Sequence, residues 1–231
     1  MTKKNYTHIT LLVDRSGSMI SIQPDAQGGI NEFIAQHKAA PGQCTFALYE
    51  FDTEFNAAYG PGNISMVEGY TLVPRGGTAL YDSQMRAINE TGNYLESLPE
   101  DQRPEKVIFL TVTDGGENMS HEFVGPKGAA AVKQKVQHQE HTYNWEFIYI
   151  GANQDAFAVG SSLGITRTTA YASTGQSVAA MYGNVTSSTL NARSTGADTS
   201  ATLASAVASD GTLDFDRKKK ENEQTTDGDS Q

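Results

Sequence analysis

Cysteine is almost absent from this chain of 231 residues, since Cys44 is the only one. A single cysteine excludes an intrachain disulfide and a zinc site built on several thiolates, and it favours a reducing compartment. No stretch approaches the roughly 18 consecutive apolar residues of a membrane span. The lysines near the N-terminus are not followed by an apolar segment, so we expect no secretory signal. These features predict a cytoplasmic protein without a membrane partner.

Basic residues are also scarce, because 17 lysines and arginines face 27 acidic residues and give a formal net charge of -10. An acidic chain repels phosphate backbones, so we do not expect nucleic-acid binding. The glycine motifs GxGxxG and GxxxxGK[ST] are absent in the required positions, which argues against dinucleotide and P-loop nucleotide binding. Only 38% of the residues are hydrophobic, which indicates that part of the chain is not packed.

Apolar segments rich in β-branched and aromatic residues predict four buried strands. They are HITLLV (8–13), CTFALYEF (44–51), KVIFLTVT (106–113) and WEFIYIG (145–151), and the weaker NISMV (63–67) is predicted as an edge strand. Amphipathic patterns predict helices at about 22–39, 79–97, 126–139 and 153–164, with a fifth around 178–185. This alternation predicts an α/β fold, a doubly wound and mostly parallel Rossmann-like sheet with helices on both faces.

The composition of the chain changes near residue 186. Serine and threonine supply 11 of the 26 residues at 184–209, and 11 of the 22 residues at 210–231 are charged. Such segments bury too little apolar area to offset the conformational entropy of the chain. We therefore predict a domain at residues 1–185 and a disordered tail at 186–231, first Ser/Thr-rich and then charged.

Oxygen-bearing side chains follow the predicted strands at the points where they end. We define the five-oxygen cluster by the side chains of Asp14, Ser16, Ser18, Thr78 and Asp114. The first three lie in DRSGS after the first strand, Asp114 follows the strand at 106–113, and Thr78 precedes the second helix. Because ligand sites of open parallel sheets form at the carboxyl ends of strands, we expect these side chains to meet. Mg²⁺ prefers six oxygen ligands, so five leave one position open.

Each part of this cluster also has a purely structural interpretation. Asp14 suits a helix cap, Thr78 suits the N-cap of the second helix, and Asp114 suits an Asx-turn at a strand end. Capping and metal ligation can share an oxygen, so both interpretations can hold. The occurrence of all three elements at strand ends favours a metal site.

Three motifs resemble those of a known family. DRSGS at 14–18 resembles the DxSxS motif of von Willebrand factor type A domains, and Thr78 in GGTAL and Asp114 in TDG are similar to the other two elements of that family's metal-ion-dependent adhesion site. The resemblance covers about residues 5–185. The segments GGINEFI, TALYD and TDGGEN look most similar to cytoplasmic bacterial and phage members. The resemblance implies that the five-oxygen cluster holds Mg²⁺, or else Mn²⁺ or Ca²⁺.

The resemblance also implies a function without catalysis. Members of the family commonly bind proteins, and an acidic residue of the partner completes the coordination of the metal. We therefore expect a metal-dependent protein-binding module that recognises a Glu or Asp carboxylate of a protein partner. Some microbial members work beside AAA-type ATPases, which makes such an ATPase a candidate partner. Arg15 is expected to face solvent next to the metal, either as a clamp for the incoming carboxylate or as a plain surface arginine. Glu117 and Asn118 are expected to rim the same partner-binding surface.

Two other classes of function stay open at this point. A metal-independent scaffold or assembly protein, phage-encoded for example, would use the domain as a support and the tail as a tether. A Mg²⁺-dependent phosphatase of the haloacid dehalogenase type would also carry an aspartate after its first strand. That family requires DxD, with a general acid two residues after the nucleophile, and this chain has Ser16 there. The hydrolase is therefore the weaker alternative.

Overall fold

The computed structural model describes residues 2–152, 155–172 and 174–200, together with Leu203. The strands of this part are β1 (Lys3–Asp14), β2 (Gln43–Phe51), β3 (Phe55–Asn63), β4 (Pro104–Thr113), β5 (Glu146–Ala152) and β6 (Arg167–Tyr171). The α-helices are α1 (Gln23–Ala39), α2 (Leu80–Ser97), α3 (Gly125–Tyr143), α4 (Asp155–Ser162) and α5 (Gly175–Thr195). Short 3₁₀ helices occupy Gly17–Ser21, Ile64–Met66 and Glu100–Gln102. No helix among the described residues is both long and apolar enough to cross a membrane.

The strands form one sheet in the order β3-β2-β1-β4-β5-β6. All neighbouring pairs are parallel except β2 and β3, which are antiparallel. The predicted α/β class with a mostly parallel sheet is confirmed. β1 lies at the centre, and its Val13 is in register with Val112 of β4. The carboxyl ends of β1 and β4 therefore lie side by side, which brings the loops that follow them together.

Helices cover both faces of the sheet, as the continuous burial of β1 from Tyr6 to Asp14 requires. On one face, Ile9, Leu11 and Val13 of β1 pack in a core with residues of α1 and α5. On the other face, Leu12 packs in a second core with residues of α2, α3 and α4. The alternation of side chains along a strand sends successive residues to opposite cores.

Two features of the sheet differ from the prediction. The antiparallel edge strand is β3 at Phe55–Asn63, so NISMV is not a strand; Ile64–Met66 forms a 3₁₀ helix. β6 at Arg167–Tyr171 was not predicted, because its five residues are only partly buried and carry little apolar signal. The predicted helix at 153–164 corresponds to α4, and its residues 153 and 154 lie outside the described part of the chain.

The predicted boundary at residue 185 is wrong, because it lies inside α5. The helix continues to Thr195 and buries Thr186 and Thr189 on the face that packs against the domain. Their hydroxyls donate to backbone carbonyls one turn earlier, Thr186 Oγ1 to Tyr182 O at 2.7 Å and Thr189 Oγ1 to Val185 O at 2.9 Å. Hydroxyls satisfied in this way can be buried, so a Ser/Thr-rich sequence here forms a packed helix. Residues 201, 202 and 204–231 of the predicted tail lie outside the described residues.

Candidate metal centre

Asp14 ends β1 with a fully buried side chain. Its Oδ1 accepts a hydrogen bond from Ser16 N at 2.6 Å, and its Oδ2 accepts one from Thr113 Oγ1 at 2.6 Å. Burial raises the pKa of the Asp14 carboxyl to about 6, although these hydrogen bonds act in the opposite direction. Within the described residues, no lysine, arginine or histidine forms an ion pair with Asp14 or Asp114. The carboxylate therefore lacks a compensating positive charge.

The other oxygens of the five-oxygen cluster lie beside Asp14. Ser16 Oγ and Ser18 Oγ are 3.1 Å apart, and Ser18 Oγ donates to Asp114 Oδ1 at 2.7 Å. A methyl group added at Gly115 would lie 3.5 Å from both Ser18 Oγ and Thr78 Oγ1, so these two hydroxyls flank one point of the backbone. The structure thus brings together side chains from three separate loops.

Exposure differs across the cluster. Asp14, Ser16 and Thr78 are buried, whereas Ser18 is exposed and Asp114 is partly exposed. Burial raises the pKa of the Asp114 carboxyl above its ordinary range. The cluster is therefore closed on the side of the sheet and open to solvent at Ser18 and Asp114.

Backbone hydrogen bonds connect the loop that carries the serines with the loop that carries Thr78. Gly17 N donates to Gly76 O at 3.1 Å, and Arg75 N donates to Arg15 O at 2.7 Å. Gly76 has a φ of +67°, a left-handed conformation that glycine adopts without strain. Glycine at this position thus lets the second loop turn beside the first.

Arg15 does not face solvent beside the cluster, so that prediction is wrong. Its side chain is 12% exposed, Nη1 donates to Glu50 Oε1 at 2.5 Å, and Nε lies 2.9 Å from Asp52 Oδ2. The Asp52 contact is an ion pair, because Nε has no partner with hydrogen-bond geometry. Asp14 pairs with Phe51 of β2, so the residue after Asp14 lies next to two acidic side chains at the end of that strand.

Glu117 and Asn118 fasten the loop after Asp114 to the beginning of α2. Asn118 Oδ1 accepts from Thr78 N at 2.9 Å, and Glu117 Oε2 accepts from Tyr81 N at 2.9 Å. The N-cap of α2 is Ala79, which has no side-chain cap, so Thr78 lies next to the N-cap rather than at it. The loop supplies the missing acceptors instead. A role of Glu117 and Asn118 in partner binding stays a prediction.

Asp82 has a structural role in the same region. Its Oδ2 accepts from His121 N at 2.7 Å, and its Oδ1 accepts from Phe123 N at 2.8 Å. These contacts hold the distal part of the loop against the first turn of α2. The loop that begins at Asp114 is therefore hydrogen-bonded to the helix that begins just after Thr78.

Thr113 is the residue of this site that the sequence analysis missed. Its hydroxyl donates to Asp14 Oδ2, and its Oγ1 also accepts from Gly115 N at 3.1 Å. The available signal was a hydroxyl in the last position of a buried apolar strand, directly before Asp114. Thr113 orients the Asp14 carboxylate and shapes the turn that presents Asp114.

The donor set fits a hard divalent cation. Six oxygens at about 2.1 Å from an ion lie about 3.0 Å apart along the edges of an octahedron. The oxygen pairs Ser16–Ser18 and Ser18–Asp114 lie 3.1 and 2.7 Å apart. Across the residues that the structure describes, no group of three or more His, Cys, Asp or Glu side chains is placed to hold a metal ion. A metal site here thus depends on hydroxyls as well as carboxylates.

Comparisons with known proteins show the fold but not the family. The sequence matches no protein-family model, and a search of curated proteins gives no match. The pilus adhesin SpaC from Lactobacillus rhamnosus GG is similar in structure, with a TM-score of 0.55 and 14% identity over 82% of this chain and 30% of SpaC. The von Willebrand factor type A protein from Catenulispora acidiphila gives a TM-score of 0.54 and 14% identity over 82% of this chain and 43% of that protein.

A single domain of this type is also similar along nearly its whole length. The vWF domain of the type V pili tip protein Mfa5 from Porphyromonas gingivalis gives a TM-score of 0.52 and 12% identity, over 79% of this chain and 94% of that domain. In contrast, this chain spans less than half of SpaC and of the Catenulispora protein. At these identities the similarity establishes a von Willebrand factor type A-like fold.

Proposed function

We propose that this chain is a divalent-metal-dependent protein-binding module. The five-oxygen cluster would hold Mg²⁺, Mn²⁺ or Ca²⁺, and the open position would recognise a Glu or Asp carboxylate of a protein partner. The observation that carries the proposal is the convergence of two carboxylates and three hydroxyls at one edge of the sheet, where no basic side chain of the described residues pairs with either carboxylate. Proteins with this fold often mediate protein–protein interactions, and SpaC, for example, is a pilus adhesin.

The hydrogen bonds of the cluster suggest how each side chain would act on a bound cation. Both oxygens of Asp14 already accept hydrogen bonds, from Ser16 N and Thr113 Oγ1, which reduces the negative charge that they offer to an ion. Ser16, Ser18 and Thr78 contribute neutral oxygens. A bound dication would supply positive charge that this set does not fully neutralise. A carboxylate from a partner would then be attracted to it.

The surface around the opening suits a protein partner. Ile20 lies two residues after Ser18 and its side chain is 69% exposed. Met119 is 36% exposed and lies against Gly77, next to Thr78. Exposed apolar side chains beside a polar centre are typical of protein-binding surfaces. We therefore place the partner's apolar contacts beside the carboxylate that enters the site.

The first experiment is calorimetric titration of Mg²⁺ and Mn²⁺ into the metal-stripped protein. We compare wild type with Asp14→Asn and Asp114→Ala, and use Asp101→Asn as the control. Asp101 is an exposed carboxylate in the 3₁₀ helix that precedes β4, at the opposite edge of the sheet. Saturable binding to wild type and Asp101→Asn, at least tenfold weaker in both cluster variants, would support the metal site. Unchanged binding in a folded Asp114→Ala protein would contradict it.

A second experiment tests carboxylate recognition separately from metal binding. Water-proton relaxation of the Mn²⁺-loaded protein is measured while a short peptide with a central glutamate, or the same peptide with glutamine, is added. Displacement of metal-bound water by the glutamate peptide alone would support acidic recognition. Equal responses to both peptides would leave the metal site intact but refute the proposed recognition.

A further inference from the structure

A second candidate site lies at the opposite edge of the sheet from the five-oxygen cluster. A cavity of about 370 Å³ opens between α2 and α3, and we call it the α2–α3 cavity. Pro104 and Val107, near the start of β4, line it, whereas Asp114 follows the end of that strand. Its volume falls in the range of about 300–1,000 Å³ that is typical of small-molecule sites.

The floor of the α2–α3 cavity is apolar. Ile88 and Leu95 of α2, Val107 of β4 and Trp145 line it, and all four side chains are buried. Trp145 is 5% exposed and its ring stacks on Phe147 with the centroids 6.0 Å apart. An aromatic ring held in this way offers a rigid, flat surface for an apolar ligand.

Gly92 leaves the space that makes the cavity. It lies inside α2, where glycine is about 1 kcal/mol less favourable than alanine. Apart from its chain neighbours and the backbone of its own helix, a Cβ atom at Gly92 would meet no atom of the described residues within 4 Å, although Gly92 is half-buried and lines the cavity. The chain therefore has a gap at a position where a side chain would fit and would strengthen the helix.

Basic side chains surround the mouth of the cavity. Lys135 of α3 is half-buried, and among the described residues it has no hydrogen bond or ion pair. Arg103 donates one hydrogen bond through Nε to Leu98 O and another through Nη2 to Glu96 O, both at 3.1 Å. The third nitrogen of its guanidinium, Nη1, takes no part in these two bonds. Of the described residues that line the cavity, Glu96 alone has an acidic side chain. Arg103 also attracts the Glu100 carboxylate, which does not line the cavity. The positive charge that the mouth offers to an anionic ligand therefore comes mainly from Lys135.

We propose that the α2–α3 cavity binds a small amphipathic carboxylic acid. Its apolar body, of roughly a dozen non-hydrogen atoms for a cavity of this size, lies on Trp145 and above Gly92. Its carboxylate faces Lys135 and Arg103 at the mouth. This binding is independent of the metal-dependent function proposed above, because the two sites lie at opposite edges of the sheet.

Trp145 provides a direct measurement, because it is the only tryptophan of the chain. The protein is titrated with 4-phenylbutyrate, and with 4-phenylbutanol as the uncharged counterpart, while tryptophan emission is recorded. Saturable binding of the acid at least fivefold tighter than that of the alcohol is expected. Calorimetry of the same titrations provides a readout that does not depend on the emission of Trp145.

Two pairs of variants locate the site and test its charge. Gly92→Leu fills the cavity and should abolish binding without lowering thermal stability, whereas Gly183→Leu in α5, where an added Cβ also meets nothing, should bind normally. Lys135→Gln should weaken the acid at least threefold and leave the alcohol unchanged, whereas exposed Lys133→Gln should change neither.

Three results would overturn the proposal. The first is the absence of saturable binding of both probes by emission and by calorimetry, up to about 10 mM, which lies beyond the weakest useful affinities. The second is unchanged binding in a stable Gly92→Leu protein. The third is equal affinity of the wild-type protein for the acid and the alcohol, which would refute the proposal that the cavity recognises a carboxylate.

Discussion

The Arg15 guanidinium and the Asp52 carboxylate form an ion pair directly behind the five-oxygen cluster, with Arg15 Nε 2.9 Å from Asp52 Oδ2. The same oxygen accepts from Arg75 Nε at 2.7 Å, and Asp52 O accepts from Ala79 N at 2.9 Å. Burial raises the pKa of Asp52, but its hydrogen bonds from Glu54 N and Arg75 and the charges of both arginines outweigh burial and hold that pKa below its ordinary value. Asp52 thus joins the loop of Ser16 and Ser18 to the loop of Thr78.

Asp52→Asn tests this connection, because it keeps the shape of the side chain and removes its charge. Arg15 would lose one of its two acidic partners while only 12% exposed, so we expect the free energy of unfolding to fall by about 3 kcal/mol. Metal affinity should also weaken. Glu54→Gln is the control, since Glu54 is 70% exposed and pairs with the same Arg75; its effect should stay below about 1 kcal/mol. Equal losses in urea unfolding would contradict a special role of Asp52.

Adjacent glycines in α1 should respond oppositely to alanine. A Cβ at Gly29 would overlap the ring of Tyr182, which is 4% exposed, whereas a Cβ at Gly28 would meet nothing within 4 Å. We expect Gly29→Ala to lower the free energy of unfolding by about 2 kcal/mol through overpacking. Gly28→Ala should raise it by up to about 1 kcal/mol, because alanine favours the helix. Denaturant unfolding measures both, and a neutral Gly29→Ala would mean that α5 does not pack closely on α1.

Shortening the chain tests the corrected domain boundary. A chain that ends at residue 185 loses the second half of α5, including Thr189 and Arg193, which both contact His37 of α1. We expect its melting temperature to fall by about 10 °C or more relative to a chain that ends at Leu203, because buried polar groups lose their partners. Equal melting temperatures would restore residue 185 as the end of the domain.

Two buried histidines should make the stability depend on pH. Burial lowers the pKa of His8 to about 3; burial first, and then the charge of Arg193, lower the pKa of His37 to about 3. Arg193 Nη1 donates to His37 Nδ1 at 2.9 Å, so the ring is neutral and its proton lies on Nε2, which donates to Thr189 Oγ1 at 2.8 Å. Between pH 6.5 and 3, the unfolded chain binds protons that the folded chain does not. Stability therefore falls as the pH falls, by about 2 kcal/mol per histidine from pH 7 to 5.

Comparison of variants isolates this effect, because the raised pKa of Asp14 acts in the opposite direction over part of the range. Urea midpoints at pH 7 and pH 5 are measured for wild type, His37→Gln and His121→Gln. His37→Gln should lose about 2 kcal/mol of the pH dependence. His121 is exposed, and its replacement should leave the pH dependence unchanged. Identical pH dependence in all three proteins would mean that His37 is charged in the folded state.

The fold could be predicted from the sequence because the central strands are buried on both faces. The segments of β1 and β4 are nearly continuous apolar runs, and the polar residues after them mark where the strands end. The second half of α5 escaped prediction because hydroxyl residues dominate its buried positions. The burial of these hydroxyls depends on hydrogen bonds to the backbone, such as Thr189 Oγ1 to Val185 O, which hydropathy does not report. β6 escaped prediction because its five residues are only partly buried and carry little apolar signal.

The members of the candidate site were predictable, but their contacts were not. Asp14 and Asp114 follow strands whose order in the sheet determines their proximity. The position of Arg15 depends on Glu50, which is 35 residues away in sequence, and Thr113 contacts Asp14 across 99 residues. No local pattern specifies such pairings. The metal, the partner and the role of the rim residues are proposals that the experiments above test.

The pairing of β1 with β4 has a consequence for how the protein is made. Residues 7–13 of β1 pair with residues 106–112 of β4. Since about a hundred residues separate the two strands in sequence, β1 leaves the ribosome long before β4. Until then, one long edge of this buried central strand has no neighbour, and parallel pairing across such a distance is slow. The side chains of Asp14 and Asp114 meet only after this step. Acquisition of a cation at this point would therefore mark a nascent chain that has completed its topology.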